Sequence, residues 1–373
     1  MQIETLQEAR RQIEICNACR YCEGYCSVFP AINRQRAFRD ADITQLANLC
    51  HNCRGCYYAC QFTEPHLFAL NLPKVLAEVR QNSWQSYAYP SWFAKAFHQS
   101  GTAIAIATII GFALLFFAIK TIGGRSDDPG FYAVLSHNAM VAIFAPAFLF
   151  PVFCLVVGLY RYWKAVDGRT VSFSDLVAAF GSAAKMKNLA GGHGEGCNFE
   201  DEDRFSNVRR WRHQMVMYGF LLCFAATCAG TVMHYGLAMP APYGLLSLPK
   251  LLGVPGGILL SLGTLAMAEL KMRSDRNLAD ARAWGGEMGF ILLLFFVSTS
   301  GLALYVFGNS DHMTQLLAIH LGSVLAFFLL VPYSKMAHGF YRLAALAREH
   351  QLQHPSAKAT RTGAQNLKKE LRT

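Results

Sequence analysis

Eight of the chain's twelve cysteines fall in two runs of identical spacing, Cys16-x2-Cys19-x2-Cys22-x3-Cys26 and Cys50-x2-Cys53-x2-Cys56-x3-Cys60. Thiolates are soft ligands suited to iron and sulfide, and three on one short loop can take three corners of a cubane. The fourth cysteine of such a run ordinarily reaches over to the other cluster. The spacing therefore predicts two [4Fe–4S] clusters. One is assigned to Cys16, Cys19, Cys22 and Cys60, the other to Cys50, Cys53, Cys56 and Cys26. Structural zinc asks for a different layout, two separated C-x2-C pairs closing one tetrahedral shell. Disulfides are disfavoured because the topology derived below places these residues in the cytoplasm, where thiols stay reduced. In bacterial ferredoxins a proline directly follows the fourth cysteine. Here Ser27 and Gln61 follow, and the prolines come later, at Pro30 and Pro65. Residues 40–49, between the runs, read as a capped helix. The expected unit is thus a helical two-cluster domain rather than the simple β-rich ferredoxin.

Histidines form the second set. His213 and His234 stand near the two ends of one apolar stretch, and His320 and His338 near the ends of another. Helical rise separates each pair by about 32 and 27 Å, close to the apolar thickness of a bilayer. At 100° per residue His320 and His338 share a helix face, and His213 and His234 lie about 60° apart. Alternating spans put His213 with His338 on one side and His234 with His320 on the other. Two helices that offer facing imidazoles can hold b-type haem by bis-histidine ligation, at one level or at both. Polar residues at span ends also simply meet water or headgroups, and His137 is a rival ligand on the outer side.

These residues need elements to position them, and the composition supplies the frame. Of 373 residues, 53% are hydrophobic, and the mean hydropathy is positive. Six stretches are long enough to cross a bilayer, which takes about 20 residues. They are 101–119, 135–160, 214–235, 251–270, 288–307 and 316–333, the fourth interrupted by Pro255-Gly256-Gly257. The first residues lack an apolar core, so no cleaved signal peptide is expected. Lysine and arginine number ten in residues 1–100, nine in 161–212, four in 271–282 and eight from 335 onward. The opposite side holds only Lys120, Arg125 and Lys250. By the positive-inside rule both termini and the cysteine runs are cytoplasmic. The net charge of +10 is then a topology signal. It is scattered over loops without a nucleic-acid-binding motif, so no nucleic-acid partner is expected.

The fold class that follows is an all-α membrane protein, a six-helix transmembrane bundle with an N-terminal helical two-[4Fe–4S] ferredoxin-like domain. Its expected divisions are a cluster domain at 1–98, a haem-b-type membrane domain at 99–345 and a basic cytoplasmic tail at 346–373. Trp84, Tyr87, Tyr89 and Trp92 read as an interfacial aromatic belt. Gly219, Gly230 and the patch 298–301 permit close approach of helices or of a ring. Arg209, Arg210, Arg212 and Lys335 could pair with haem propionates or simply mark the cytoplasmic side. The loop 191–197, Gly-Gly-His-Gly-Glu-Gly-Cys, matches neither a dinucleotide nor a phosphate fingerprint. It reads as a connector or, with the acidic run 200–203, a docking surface, and His193 with Cys197 could bind a metal. Cys154, Cys223 and Cys228 read as apolar packing.

The twin cysteine runs, Arg209-Arg-Trp-Arg-His213 leading to Tyr218-Gly-Phe, His320-Leu, and Pro332-Tyr-Ser-Lys-Met-Ala-His338 together resemble the tricarballylate-utilisation (citrate-utilisation) protein B family over the whole chain. The membrane half also resembles the haem-b-carrying gamma subunit of respiratory nitrate reductase, most clearly at 332–338. The family resemblance implies an electron-transfer subunit of a bacterial inner membrane rather than a stand-alone enzyme. It implies that electrons come from a cytoplasmic FAD-dependent dehydrogenase, of the tricarballylate dehydrogenase kind, and pass to membrane quinone. The eight cysteines would carry the clusters and the four span-end histidines the haem. A heterodisulfide-reductase-like enzyme is the alternative, but its tandem Cys-Cys motifs have no counterpart here. A redox-gated transporter would place charge near mid-membrane, and the spans are nearly free of it.

Overall fold

The computed structural model describes residues 2–121, 130–200 and 203–355. Arg125, part of the acidic run 200–203 and the tail beyond residue 355 lie outside them. Among the described residues every regular element is helical, apart from one antiparallel bridge between Cys197 and Ser206. The N-terminal unit comprises α1 (Gln2–Cys19), α2 (Val28–Asn33), α3 (Asp40–Leu49), α4 (Gly55–Tyr58), α5 (Leu72–Tyr87) and α6 (Ser91–Gln99). Helix α3 has the bounds its sequence predicts, with Asp40 and Asp42 in the first turn, where carboxylates oppose the helix dipole. Ile13, Ile32, Ile43, Leu49 and Leu76 fill the core beneath the cysteine loops.

The membrane part contains α7 (Gly101–Thr121), α8 (His137–Ala165), the short α9 (Phe173–Ala184), α10 (Val208–Thr231), α11 (Leu248–Arg273), α12 (Trp284–Phe307), α13 (Met313–Leu330) and α14 (Ala337–Gln353). Among the described residues six helical segments are long and apolar enough to cross a membrane. Ile109, Phe117, Leu149, Phe153 and Val156 point outward from them, as lipid contact requires. The interruption expected at Pro255 is absent, because α11 runs through it. A span accommodates proline when neighbouring helices compensate the lost hydrogen bond, and here the glycines draw α10 and α11 together. A Cβ on Gly219 would stand 2.5 Å from the Leu260 nitrogen, and one on Gly256 2.8 Å from Leu222 Cβ. Gly219 thus serves helix packing, whereas Gly230 meets nothing closer than 3.7 Å.

The N-terminal unit is seated on one end of the bundle. Gln45 Nε2 donates to the Ala345 carbonyl (2.8 Å) and Gln45 Oε1 accepts from Tyr162 Oη (2.9 Å). Asn52 and Asn71 donate to the carbonyls of Leu278 and Asn277, in the turn between α11 and α12. Arg34 pairs with Glu349 at 2.6 Å. Helix α14 continues past residue 346 to Gln353 as part of this seat, so residue 346 is not a boundary in the fold. Trp84 departs from the aromatic belt expected of it. It is fully buried, donates from Nε1 to Asn48 Oδ1 at 2.7 Å and stacks on Tyr341 with ring centroids 6.3 Å apart. Trp92 and Tyr89 do remain exposed.

Trp84→Ala is expected to loosen this seat by about 3–5 kcal/mol, the usual cost of emptying a buried aromatic site. Trp84→Phe should cost about 1–3 kcal/mol, through the stranded Asn48 oxygen. Melting temperatures of the detergent-purified protein check the order; equal, negligible shifts would refute it.

Candidate functional site

The cysteine loops sort their thiols across the runs. One cavity is lined by Cys16, Cys19, Cys22 and Cys60, another by Cys26, Cys50 and Cys53, and Cys56 borders both. Burial pushes the Cys16 thiol up to about 12, with further contributions from Cys60, Cys22 and Cys19. Burial raises Cys22 to about 11, again with Cys60 and Cys19 nearby. Cys53 is raised first by its hydrogen bond with Cys26 and then by burial. Each run therefore sends its fourth cysteine toward the other, Cys60 to the first and Cys26 to the second. Thiols so buried and crowded stay protonated at neutral pH unless a bound cation offsets the negative charge. Among the described residues no three His, Cys, Asp or Glu side chains converge on a point that would hold a single ion. The thiols border two small cavities.

The glycine-rich loop lies against both runs. The Gly192 nitrogen donates to the Tyr25 carbonyl at 2.7 Å, and the Asn198 nitrogen to the Cys53 carbonyl at 2.8 Å. A Cβ on Gly192 would collide with the Gly24 carbonyl, so only glycine permits this approach. Gly191, Gly194 and Gly196 take positive φ, the left-handed region that glycine enters without strain. Cys197 is buried beneath the loop, near Cys53 and Arg209. His193 packs edge-on against Tyr25. The loop is therefore a cover for the cysteine runs.

Beside the second run opens a cavity of about 270 Å³, bordered by His51, Asn52, Arg54, Arg80, Arg209 and Arg342. His213, His338, Lys335, Glu287 and Trp284 border it as well. The rings of His213 (α10) and His338 (α14) meet edge to face, with centroids 5.8 Å apart and planes at 81°. With metal–imidazole bonds of about 2 Å each, that separation is within the reach of two rings on one metal. His338 Nδ1 is held by the Lys335 carbonyl, which leaves Nε2 for a ligand. A Cβ on neighbouring Gly339 would meet nothing within 4 Å. Five residues on this cavity carry a buried nitrogen without a hydrogen-bond partner: Gln81 Nε2, Arg209 Nε, His213 Nδ1, Trp284 Nε1 and Arg342 Nε. Buried donors are ordinarily paired. A ring system carrying carboxylates, with an iron at its centre, answers this donor set, so the residues present fit haem.

The outer histidines are arranged differently from expectation. His234 stacks on His137, with centroids 4.2 Å apart and planes at 11°, and Tyr235 and Tyr132 adjoin them. His320 turns to α12, where Nδ1 lies 3.2 Å from Ser300 Oγ and the ring packs against Gly301. Among the described residues no ring contact joins His234 to His320. The cause is local: α10 widens into a π-helix at Val232–Gly236, which rotates His234 away from the direction a straight α-helix predicts. Parallel rings in van der Waals contact leave no slot for a macrocycle between them.

Several residues of the site were not singled out by motif. His51 follows Cys50 directly and is buried beside the second set of thiols; burial, then Arg342, hold its ring well below the ordinary imidazole range. It is therefore neutral, with Nδ1 2.8 Å from the Leu49 carbonyl. Arg342 could have been found from helical spacing, one turn beyond His338.

The family described as Citrate utilization protein B matches residues 99–360, and its Fer4-like domain matches residues 9–86. Among curated proteins, Citrate utilization protein B of Escherichia coli is 42% identical over 347 residues, covering 91% of this chain and 91% of its own. No solved structure matches.

Gly192→Ala is expected to push the loop off the cysteine runs. Limited proteolysis within residues 191–206 should accelerate; an unchanged rate would show that the loop is not held by that contact.

Proposed function

The chain belongs to the citrate utilization protein B family, and from that premise we propose that it is a membrane electron-transfer subunit reoxidising a cytoplasmic FAD-dependent dehydrogenase. Its electrons would pass through two [4Fe–4S] clusters and one haem b to the quinone pool. The dehydrogenase would act on a tricarboxylate of the citrate or tricarballylate kind, as the family name suggests. When bound, the clusters and haem supply one-electron redox chemistry, while the protein supplies binding, orientation and electrostatics. The observation that carries the reading is the shared wall of two cavities. His51, Asn52 and Arg54 border both the space among the thiols of the second run and the space between His213 and His338.

Cys16, Cys19, Cys22 and Cys60 would hold the outer cluster, with Cys19 exposed toward a partner. Cys26, Cys50, Cys53 and Cys56 would hold the inner one, next to the histidines. His213 and His338 would ligate the haem iron, the latter fixed in tautomer by the Lys335 carbonyl. Lys335 is in turn clamped, with Lys271, by Glu287. The basic residues at this end, with the N-terminal unit seated on it, favour a cytoplasmic face and hence a bacterial inner membrane. His234 and His320 are left out of cofactor binding.

His338→Ala should abolish the b-type haem bands in an anaerobic reduced-minus-oxidised spectrum while leaving the broad cluster bleach. Unchanged haem content would sink the assignment. Cys60→Ser should remove the paramagnetic signal of the cluster bound by the first run and spare that of the second; the opposite loss would show that the fourth cysteines do not cross.

A further inference from the structure

Four basic residues near the inner histidines are natural partners for carboxylates, but three of them are engaged elsewhere. Arg210 donates to the Lys185 carbonyl. Arg212 donates to the Ala266 carbonyl and pairs with Glu269 at 3.0 Å. Lys335 is held by Glu287. Arg209 is different. Its Nη1 donates to the Asn52 carbonyl at 2.8 Å and its guanidinium lies 3.8 Å over the Phe199 ring and against Cys197, yet its Nε stays buried with no partner. Arg342 repeats the pattern, with Nη2 on the Cys50 carbonyl at 3.1 Å and Nε buried and unpartnered.

The two arginines are also placed alike relative to the histidines. Arg209 lies four residues before His213 on α10, and Arg342 four residues after His338 on α14. That spacing sets each on its histidine's helix face, one turn nearer the cysteine runs. Both border the cavity of about 270 Å³ beside the second cysteine run. A haem carries two carboxylates, and this cavity is lined by two guanidiniums, each one helical turn from one candidate axial ligand.

Resting on the haem reading above, we propose that Arg209 and Arg342 bind the two haem carboxylates. Through the same guanidinium groups each also grips the backbone of the second cysteine run. Arginine suits this double task, because its planar fork can donate in two directions and keeps its charge when partly buried. A fixed cation shared by two electron-accepting groups favours the reduced, more negative form of both. The two arginines thereby couple the position and the potential of the inner cluster to those of the haem.

The experiment is an anaerobic redox titration of the purified full-length protein, following the haem band optically and the inner cluster by paramagnetic resonance, together with the haem-to-protein ratio. Arg342→Gln and Arg209→Gln should each lower both midpoint potentials, and weaken haem retention by about tenfold, as loss of an outer partner commonly does. Arg212→Gln, already paired with Glu269, should give a smaller shift. Arg342→Lys, which keeps the charge, should restore the potentials toward the parent value. If Arg342→Gln loses its haem entirely, recovery of haem in Arg342→Lys supports the proposal, and failure to recover assigns Arg342 a structural role and overturns it. A parent protein with normal haem whose potentials are unmoved in both glutamine variants overturns the proposal alone. A parent protein without haem overturns the function it rests on.

Discussion

Guanidinium groups buried between two folded units are the constraint around which this molecule is arranged. Arg54 and Arg80 are almost wholly buried, and Arg209 and Arg342 are half-buried beside them. A charge in such a place costs several kcal/mol unless hydrogen bonds replace the lost water. Carbonyls replace it here, and they come from distant stretches of chain. Arg54 donates to Phe199 and Asp275, Arg80 to Ala47 and Cys50, Arg209 to Asn52 and Arg342 to Cys50. Burial with a neighbouring cation, Arg209, draws Arg54 down to about 10, still charged at neutral pH. The cysteine loop 50–56 is thus fixed from several sides, and a loop fixed in this way can hold a cofactor at one distance from the bundle.

The sequence was readable wherever a periodic or local rule operated alone. Helix α3 kept its bounds because its cap and its apolar face agree. The spans were legible from length and hydropathy, since a bilayer tolerates little else. The crossing of Cys26 and Cys60 follows from the doubled run, and His213 meets His338 although the sixth apolar stretch is not one helix: α13 ends at Leu330, a 3-10 turn follows at Val331–Tyr333, and His338 sits in the first turn of α14 rather than on one face with His320. Reading failed where a helix changed type or a residue served a neighbour far along the chain. One widened turn after Val232 gave His234 to His137 in place of His320. Trp84 has the composition of a belt residue but lies over Tyr341, more than two hundred positions away in sequence. The arginines gave no motif, because their partners are carbonyls, and carbonyls are invisible to composition.

The glycine-rich stretch shows the same limit from another side. Its spacing excludes familiar nucleotide loops, yet it says nothing about what the glycines are for. The structure supplies the reason in steric terms. The main chain at Gly192 and Asn198 must come within hydrogen-bonding reach of Tyr25 and Cys53, and at Gly192 a side chain on that path would meet the Gly24 carbonyl.

That contact has a consequence for how the protein is made. The cysteine runs leave the ribosome within the first sixty residues, but the loop that covers them lies beyond two membrane spans, and Arg342 in the last of the six apolar helical segments. The N-terminal unit cannot acquire its full set of hydrogen bonds during its own synthesis. Its final form awaits insertion of the whole bundle, so the packing around the cysteine runs and membrane integration are stages of one assembly rather than independent events.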